Sequence, residues 1–292
     1  MASTSRIPLT VIKNGVETRL DSLASWVETR DSIATGLGSQ IGSPIEVAGR
    51  TGSMYLRGRH REEKSVVINL LVNNTDTDGL TPSYAQFRKN LDAINKLFDT
   101  TNSQITLIDY LGGTYEPRKA IVEVRSKYTP DYTDGFEHAS MKIECVINSG
   151  VWSDVGTYTY ASALGTSIMG TPLTLTPLVG GNTEIEDAFI VIDGPINSPT
   201  LTDIGTGSTL KLTTNVPAGQ QWVVDCSNYT TRLGTNIEGN PTQGSSMSRY
   251  TFSTGPLAPS MFPIHPDAII QLNGSGAGTT TRIRITASRK YH

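Results

Sequence analysis

Charge is scarce in this chain. Only 17% of its 292 residues are charged, and 24 basic against 27 acidic side chains leave a net charge of −3. A protein that grips nucleic acid by neutralising phosphates needs a basic surplus that is missing here. Cysteine is scarcer still. Cys145 and Cys226 stand far apart, with neither a disulfide framework nor a metal-ligand spacing, and both read as buried, unpaired thiols. The four histidines, His60, His138, His265 and His292, stand singly, so no His/His or His/Cys pair offers a metal site. No apolar run approaches the roughly 18 to 20 residues that cross a bilayer. Residues 1–8 lack the apolar core of an export signal, so the expectation is a soluble protein made without export and without membrane association.

Signatures of catalysis are missing as well. Gly36-Leu-Gly38-Ser-Gln-Ile-Gly42 has one residue too many for a dinucleotide fingerprint. Gly205-Thr-Gly-Ser-Thr-Leu210 leads into a strand where a phosphate cradle needs a helix N-terminus, and Gly274-Ser-Gly-Ala-Gly278 joins two strands. All three read as turns. Asn74-Thr-Asp76-Thr-Asp78-Gly79 copies the first half of an EF-hand loop, yet the position of the bidentate carboxylate is Ala85 and Pro82 falls inside the loop. It reads as a solvated approach to a helix. No Gly-x-Ser-x-Gly elbow occurs, and the carboxylate pairs Asp131/Asp134 and Glu184/Glu186 read as loop carboxylates in water. The chain is expected not to be an enzyme and to need no cofactor or metal.

What is there divides in two. The length is about twice that of a typical domain of roughly 150 residues. Residues 1–149 hold 17 basic and 18 acidic side chains, whereas residues 150–292 hold seven and nine. The second half replaces charge with Thr, Ser, Gly, Asn and Pro, the residues of strands and turns. These counts place one domain at 1–150, a linker at 151–170 and a second domain at 171–292.

In the first half, Asn14-Gly15 between two short apolar-alternating runs predicts a hairpin with a type I′ turn. Residues 54–57 and 65–72 predict another, and the apolar residues on both sides of Val66 to Val72 predict a strand covered on both faces. One helix is expected over 82–98, with Thr81 as its N-cap, Pro82 in its first position and Tyr84, Phe87, Leu91, Ile94 and Leu97 facing inward. The second half reads as strands throughout, broken by turn signals such as Gly194-Pro195 and Pro217-Ala-Gly219, at the spacing of a β-sandwich or jelly roll. Arg57, Arg59 and Arg61 alternate, so on a strand they form a basic stripe, read either as a solvated, aggregation-resistant edge or as a subunit interface. Trp222 shares a strand face with Val224 and reads as core. Trp222, Tyr229 and Tyr250 are the aromatic candidates for stacking on a glycan.

The order of features carries a resemblance. A short hairpin, Gly49-Arg-Thr-Gly52 ahead of a long strand, one amphipathic helix, strands ending in Ile143-Glu-Cys-Val-Ile-Asn-Ser-Gly-Val-Trp152, and then a charge-poor sandwich follow one another. Within the sandwich, Ala188-Phe-Ile-Val-Ile-Asp-Gly-Pro-Ile-Asn-Ser-Pro-Thr200 precedes Ser208-Thr-Leu-Lys-Leu212 and Pro217-Ala-Gly-Gln-Gln-Trp-Val-Val-Asp225. This succession resembles the distal tail proteins of long-tailed, non-contractile bacteriophages (siphoviruses). The resemblance implies a mainly β fold, with an N-terminal β-barrel-like domain (a sandwich or split barrel with one α-helix) and a C-terminal galectin-like or jelly-roll sandwich. It also implies a structural virion component at the distal end of the tail, assembled in the host cytoplasm. There it forms a homohexameric ring around the DNA channel, joining the tail tube protein to the tail-tip or baseplate hub proteins and to the end of the tape-measure protein, while DNA passes without specific binding. The other reading of the same sandwich is a carbohydrate-binding module for host-surface glycans.

Overall fold

The computed structural model describes residues 9–21, 25–29, 33–34, 45–46, 53–54, 64–76, 79, 82–101, 104–110, 116–127, 137–147, 149–238, 244–246, 250–253 and 262–291. They are mainly strand, with one α-helix among the described residues, and they group into two compact units that change over between Val155 and Gly156.

The first unit is a curled antiparallel sheet. Its strands are β1 (Thr10–Lys13), β2 (Val16–Arg19), β3 (Trp26–Glu28), β4 (Ile33–Ala34), β7 (Lys64–Asn73), β8 (Ile105–Asp109), β9 (Arg118–Lys127), β10 (His138–Ile147) and β11 (Trp152–Asp154). The order across the sheet is β2-β1-β8-β9-β10-β7-β3, with β4 also on β7 and β11 also on β9. An antiparallel pair between these, β5 (Ile45–Glu46) and β6 (Ser53–Met54), is grouped with the second unit. β1 and β2 form the expected hairpin, because Asn14 and Gly15 take the two left-handed positions of the turn, at φ 51° and 77°.

Met54 pairs with Ile45 and not with the long strand. Both edges of β7 are taken elsewhere, by β10 along its whole length and by β3 and β4 on the other side. This corrects the expected 54–72 hairpin. Nor is β7 covered equally on its two faces. Val66, Ile68, Leu70 and Val72 are fully buried, while Val67 and Leu71 are half-buried.

The helix α1 (Tyr84–Leu97) starts two residues later than the sequence predicts. Ser83 is extended, its Oγ accepts the backbone N–H of Gln86, and its own N–H donates to the carbonyl of Asn74. That double engagement fixes Ser83 as the cap and leaves Pro82 outside the helix; Thr81 lies outside the described residues. Phe87, Leu91 and Ile94 are buried as expected, with Phe98 just past the end. Tyr84, expected to face inward, is 55% exposed: it opens the helix, and the buried stripe begins one turn later at Phe87. Asn90 joins the buried face. Its Nδ2 donates to the carbonyls of Asn73 (2.9 Å) and Thr75 (2.8 Å), and its Oδ1 accepts from Gln86.

The second unit is a sandwich of two antiparallel sheets. One holds β12 (Tyr158–Ala161), β23 (Arg282–Ala287), β14 (Phe189–Asp193), β18 (Gln221–Asp225), β19 (Thr230–Gly234) and β20 (Ser245–Ser246) in that order. The other holds β13 (Pro172–Thr174), β22 (Ile269–Ser275), β15 (Ile196–Asp203), β16 (Thr209–Leu212) and β21 (Tyr250–Ser253), with β17 (Asn215–Val216) on β15. One core, including Ile190, Ile192, Leu201, Leu210, Trp222, Val224, Ile270 and Ile285, fills the space between them. Within the stretch expected as a linker, β11 pairs with β9 of the first unit and β12 with β23 of the second.

Candidate functional site

Two surfaces carry the features a partner could read. On the first unit, the pairing sets Val27 of β3 opposite Leu71 of β7 and Leu71 opposite Ser140 of β10, with Val67 opposite Glu144. These residues lie on the face of β7 that faces away from its buried side, and beside it Lys142 and Glu144, both on β10, form a 2.7 Å ion pair. The result is a half-buried apolar patch beside surface charges. Arg57, Arg59 and Arg61 lie outside the described residues.

The second surface is the outer face of the sheet holding β14 and β23, and sequence reading missed it. Arg282 and Arg284 alternate along β23, directly opposite Asp193 and Val191 of β14. Arg284 bridges Asp193 (3.0 Å) and Glu238, and Arg282 reaches the other Asp193 oxygen at 3.2 Å. Gln221 donates to Asp193 and accepts the backbone N–H of Ile237, whose side chain covers Val191 and Val223. An Arg-x-Arg on a strand whose other face is Ile-x-Ile was the signal in the sequence. The pairs are made within the chain and hold Ile237 and Glu238 against this face.

The aromatic candidates are not brought together. Trp222 is fully buried between the sheets and its Nε1 donates to Thr231, so it cannot stack on a glycan; its size and apolar neighbours place it in the core. Tyr229 is 47% exposed in the turn from β18 to β19, and Tyr250 belongs to β21 in the opposite sheet. The glycine-rich 205–210 segment is a turn filled by the buried Asp203 carboxylate, which accepts from Thr206 and from the N–H of His265, so a phosphate would meet a negative charge there. In the EF-hand-like segment, the carbonyls of Asn74 and Thr75 are engaged by Ser83 and Asn90, so the loop serves the helix. Glu186 stands at the surface beside Glu184 and Asp187, and its carboxyl is raised to about 7, first by partial loss of hydration and then by those two carboxylates, with Lys290 opposing and holding Asp187 at 2.6 Å. Among the described residues no cluster of His, Cys, Asp or Glu could hold a metal. Asp131 and Asp134 lie outside them. Neither Cys145 nor Cys226 is joined in a disulfide; both are buried, and burial pushes the Cys145 thiol up to about 12.

No family model matches the chain, and no curated protein matches it. Among solved structures, two chains from the phage P2 baseplate in its activated conformation, with Ca and with Sr, give TM-scores of 0.40 and 0.38. They are 10% and 11% identical, cover 96% and 95% of this chain, and are each covered over 97% of their own length. The crystal structure of the SPP1 Dit (gp 19.1) protein, described as a paradigm of hub adsorption apparatus in Gram-positive infecting phages, aligns with a TM-score of 0.60 at 12% identity, covering 97% of this chain and 99% of its own. The chain therefore has the fold of SPP1 Dit over nearly its whole length.

Proposed function

We propose that this chain is a structural component of a bacteriophage tail, the distal hub between tail tube and tail tip. The observation that carries the reading is that the overlap with a hub protein spans both units and leaves almost nothing of either chain over. Fold alone does not set function, so the chemistry of the surface must agree with it. A near-neutral chain suits a channel through which DNA passes without being held. Residues 1–150 form the ring, six copies around the channel, with Arg57, Arg59 and Arg61 and the half-open face of β7 at the contacts between neighbours. Residues 171–292 project outward, and the tail tube, the tail-tip proteins and the end of the tape-measure protein dock on the ring. Nothing in this role requires catalysis. The carbohydrate-module reading loses its largest aromatic to the core.

The test is electron microscopy and light scattering of the purified chain, alone and with tail-tube and tail-tip proteins. Rings are expected, and replacing Arg57, Arg59 and Arg61 together with Glu should break them while leaving the fold intact. A monomer that no tail protein recruits would refute the hub.

A further inference from the structure

We propose that Asn14 is a modification site, where the side-chain amide is lost through a cyclic imide to give aspartate and isoaspartate. The sequence contains Asn-Gly twice in described residues, at Asn14-Gly15 and Asn273-Gly274, and the structure treats the two oppositely. Asn14 is exposed at the tip of the β1–β2 turn, its amide has no hydrogen-bond partner among the described residues, and a Cβ placed on Gly15 would meet nothing within 4 Å. The backbone nitrogen of Gly15 lies at the third turn position, which the closing hydrogen bond of the turn does not use. The base of the hairpin is held, since Lys13 is anchored on the end of α1, but β2 is the outermost strand of the sheet and its tip can open locally.

Asn273 sits inside β22, opposite Thr200 of β15, with its amide donating to Gln271. A Cβ on Gly274 would come within 2.8 Å of the Ile196 side chain, so the neighbouring strand is pressed against that backbone.

The chemistry needs only water. The Gly15 nitrogen attacks Cγ of Asn14, a C–N bond forms, the Cγ–Nδ2 bond breaks, and the amide proton leaves with Nδ2 as ammonia. Water then opens the cyclic imide at either carbonyl, with no change of oxidation state. Opening at one carbonyl gives an ordinary aspartate; opening at the other routes the backbone through the side chain. The second product lengthens a turn that closes with only two residues, so the Lys13–Val16 pairing at the sheet edge is lost.

The test is incubation of the full chain in mildly alkaline buffer at physiological temperature, followed by tryptic peptide mass analysis and labelling with an isoaspartate methyltransferase. The 14–19 peptide should gain the mass of an amide-to-acid exchange about tenfold or more faster than the 250–282 peptide, because strand opening is the costlier step. In urea the two rates should converge. Asn14→Gly, which keeps the left-handed backbone, should abolish the gain in the 14–19 peptide. Equal rates in the folded protein, or an Asn14 that converts only in urea, would overturn the proposal.

Discussion

The Lys13 ammonium, on β1, donates to the main-chain oxygen of Lys96 at 2.6 Å and to that of Asp99, and so caps the C-terminus of α1 from 83 residues away in the chain. The end of a helix leaves its last carbonyls without partners and carries partial negative charge, so a cation there serves both needs. Lys13→Met should keep the aliphatic stem and lose the cap. We expect a loss of about 1 kcal/mol, read from urea denaturation, that shrinks at high salt. No change would show that water replaces the ammonium at no cost.

Leu91 and Tyr84 share the helix but not its buried face. Leu91→Asp buries an unpaired carboxylate at a site only 4% exposed and should cost about 4 kcal/mol or prevent folding. Tyr84→Ala should stay within about 0.5 kcal/mol, as surface changes do. Thermal melts of the two variants compare the faces directly.

Gly194 has no room for a side chain. A Cβ there would sit 2.2 Å from the carbonyl oxygen of Pro217 and 2.5 Å from that of Val216, both backbone atoms that cannot swing away. Gly194→Ala should therefore force two strand connections apart and cost about 3 kcal/mol. Gly219→Ala makes the control for added bulk: its Cβ meets nothing, so any loss there reflects its left-handed backbone alone.

Glu186 sets a pH dependence with a definite sign. Its carboxyl is raised from 4.5 to about 7 in the folded chain, so the folded state holds a proton that the unfolded state has released. Stability from this group is complete below the lower value and falls as pH rises to the upper one. In Glu186→Gln the urea midpoint should lose that downward slope across the same window. A slope unchanged by the substitution would assign it to another group.

The strands, the Asn14-Gly15 turn and α1 were legible because each rests on local chemistry: left-handed positions at a turn, a 3.6-residue stripe, alternation in β23. What escaped was set by distant partners. The cap is Ser83, one residue beyond the Pro82 expected to open the helix, because its Oγ takes the Gln86 N–H while Asn74, nine residues back, holds its own N–H. Met54 pairs away from the long strand because the partners of β7 come from β3, β4 and β10, which no local pattern reveals. Asn90 looks like a polar interruption of the stripe and is instead a buried hub of backbone contacts. The interface candidates Arg57, Arg59 and Arg61 were legible only as a pattern, and their role stands with the proposed ring.

Asn90 also couples the fate of two elements. From within α1 its amide holds the carbonyls of Asn73, the last residue of β7, and of Thr75 just beyond it. The end of the strand is thus held by a residue of the helix. Loosening α1 should therefore release both contacts at once, so amide protection around Asn73 to Thr75 should fall together with that of the helix.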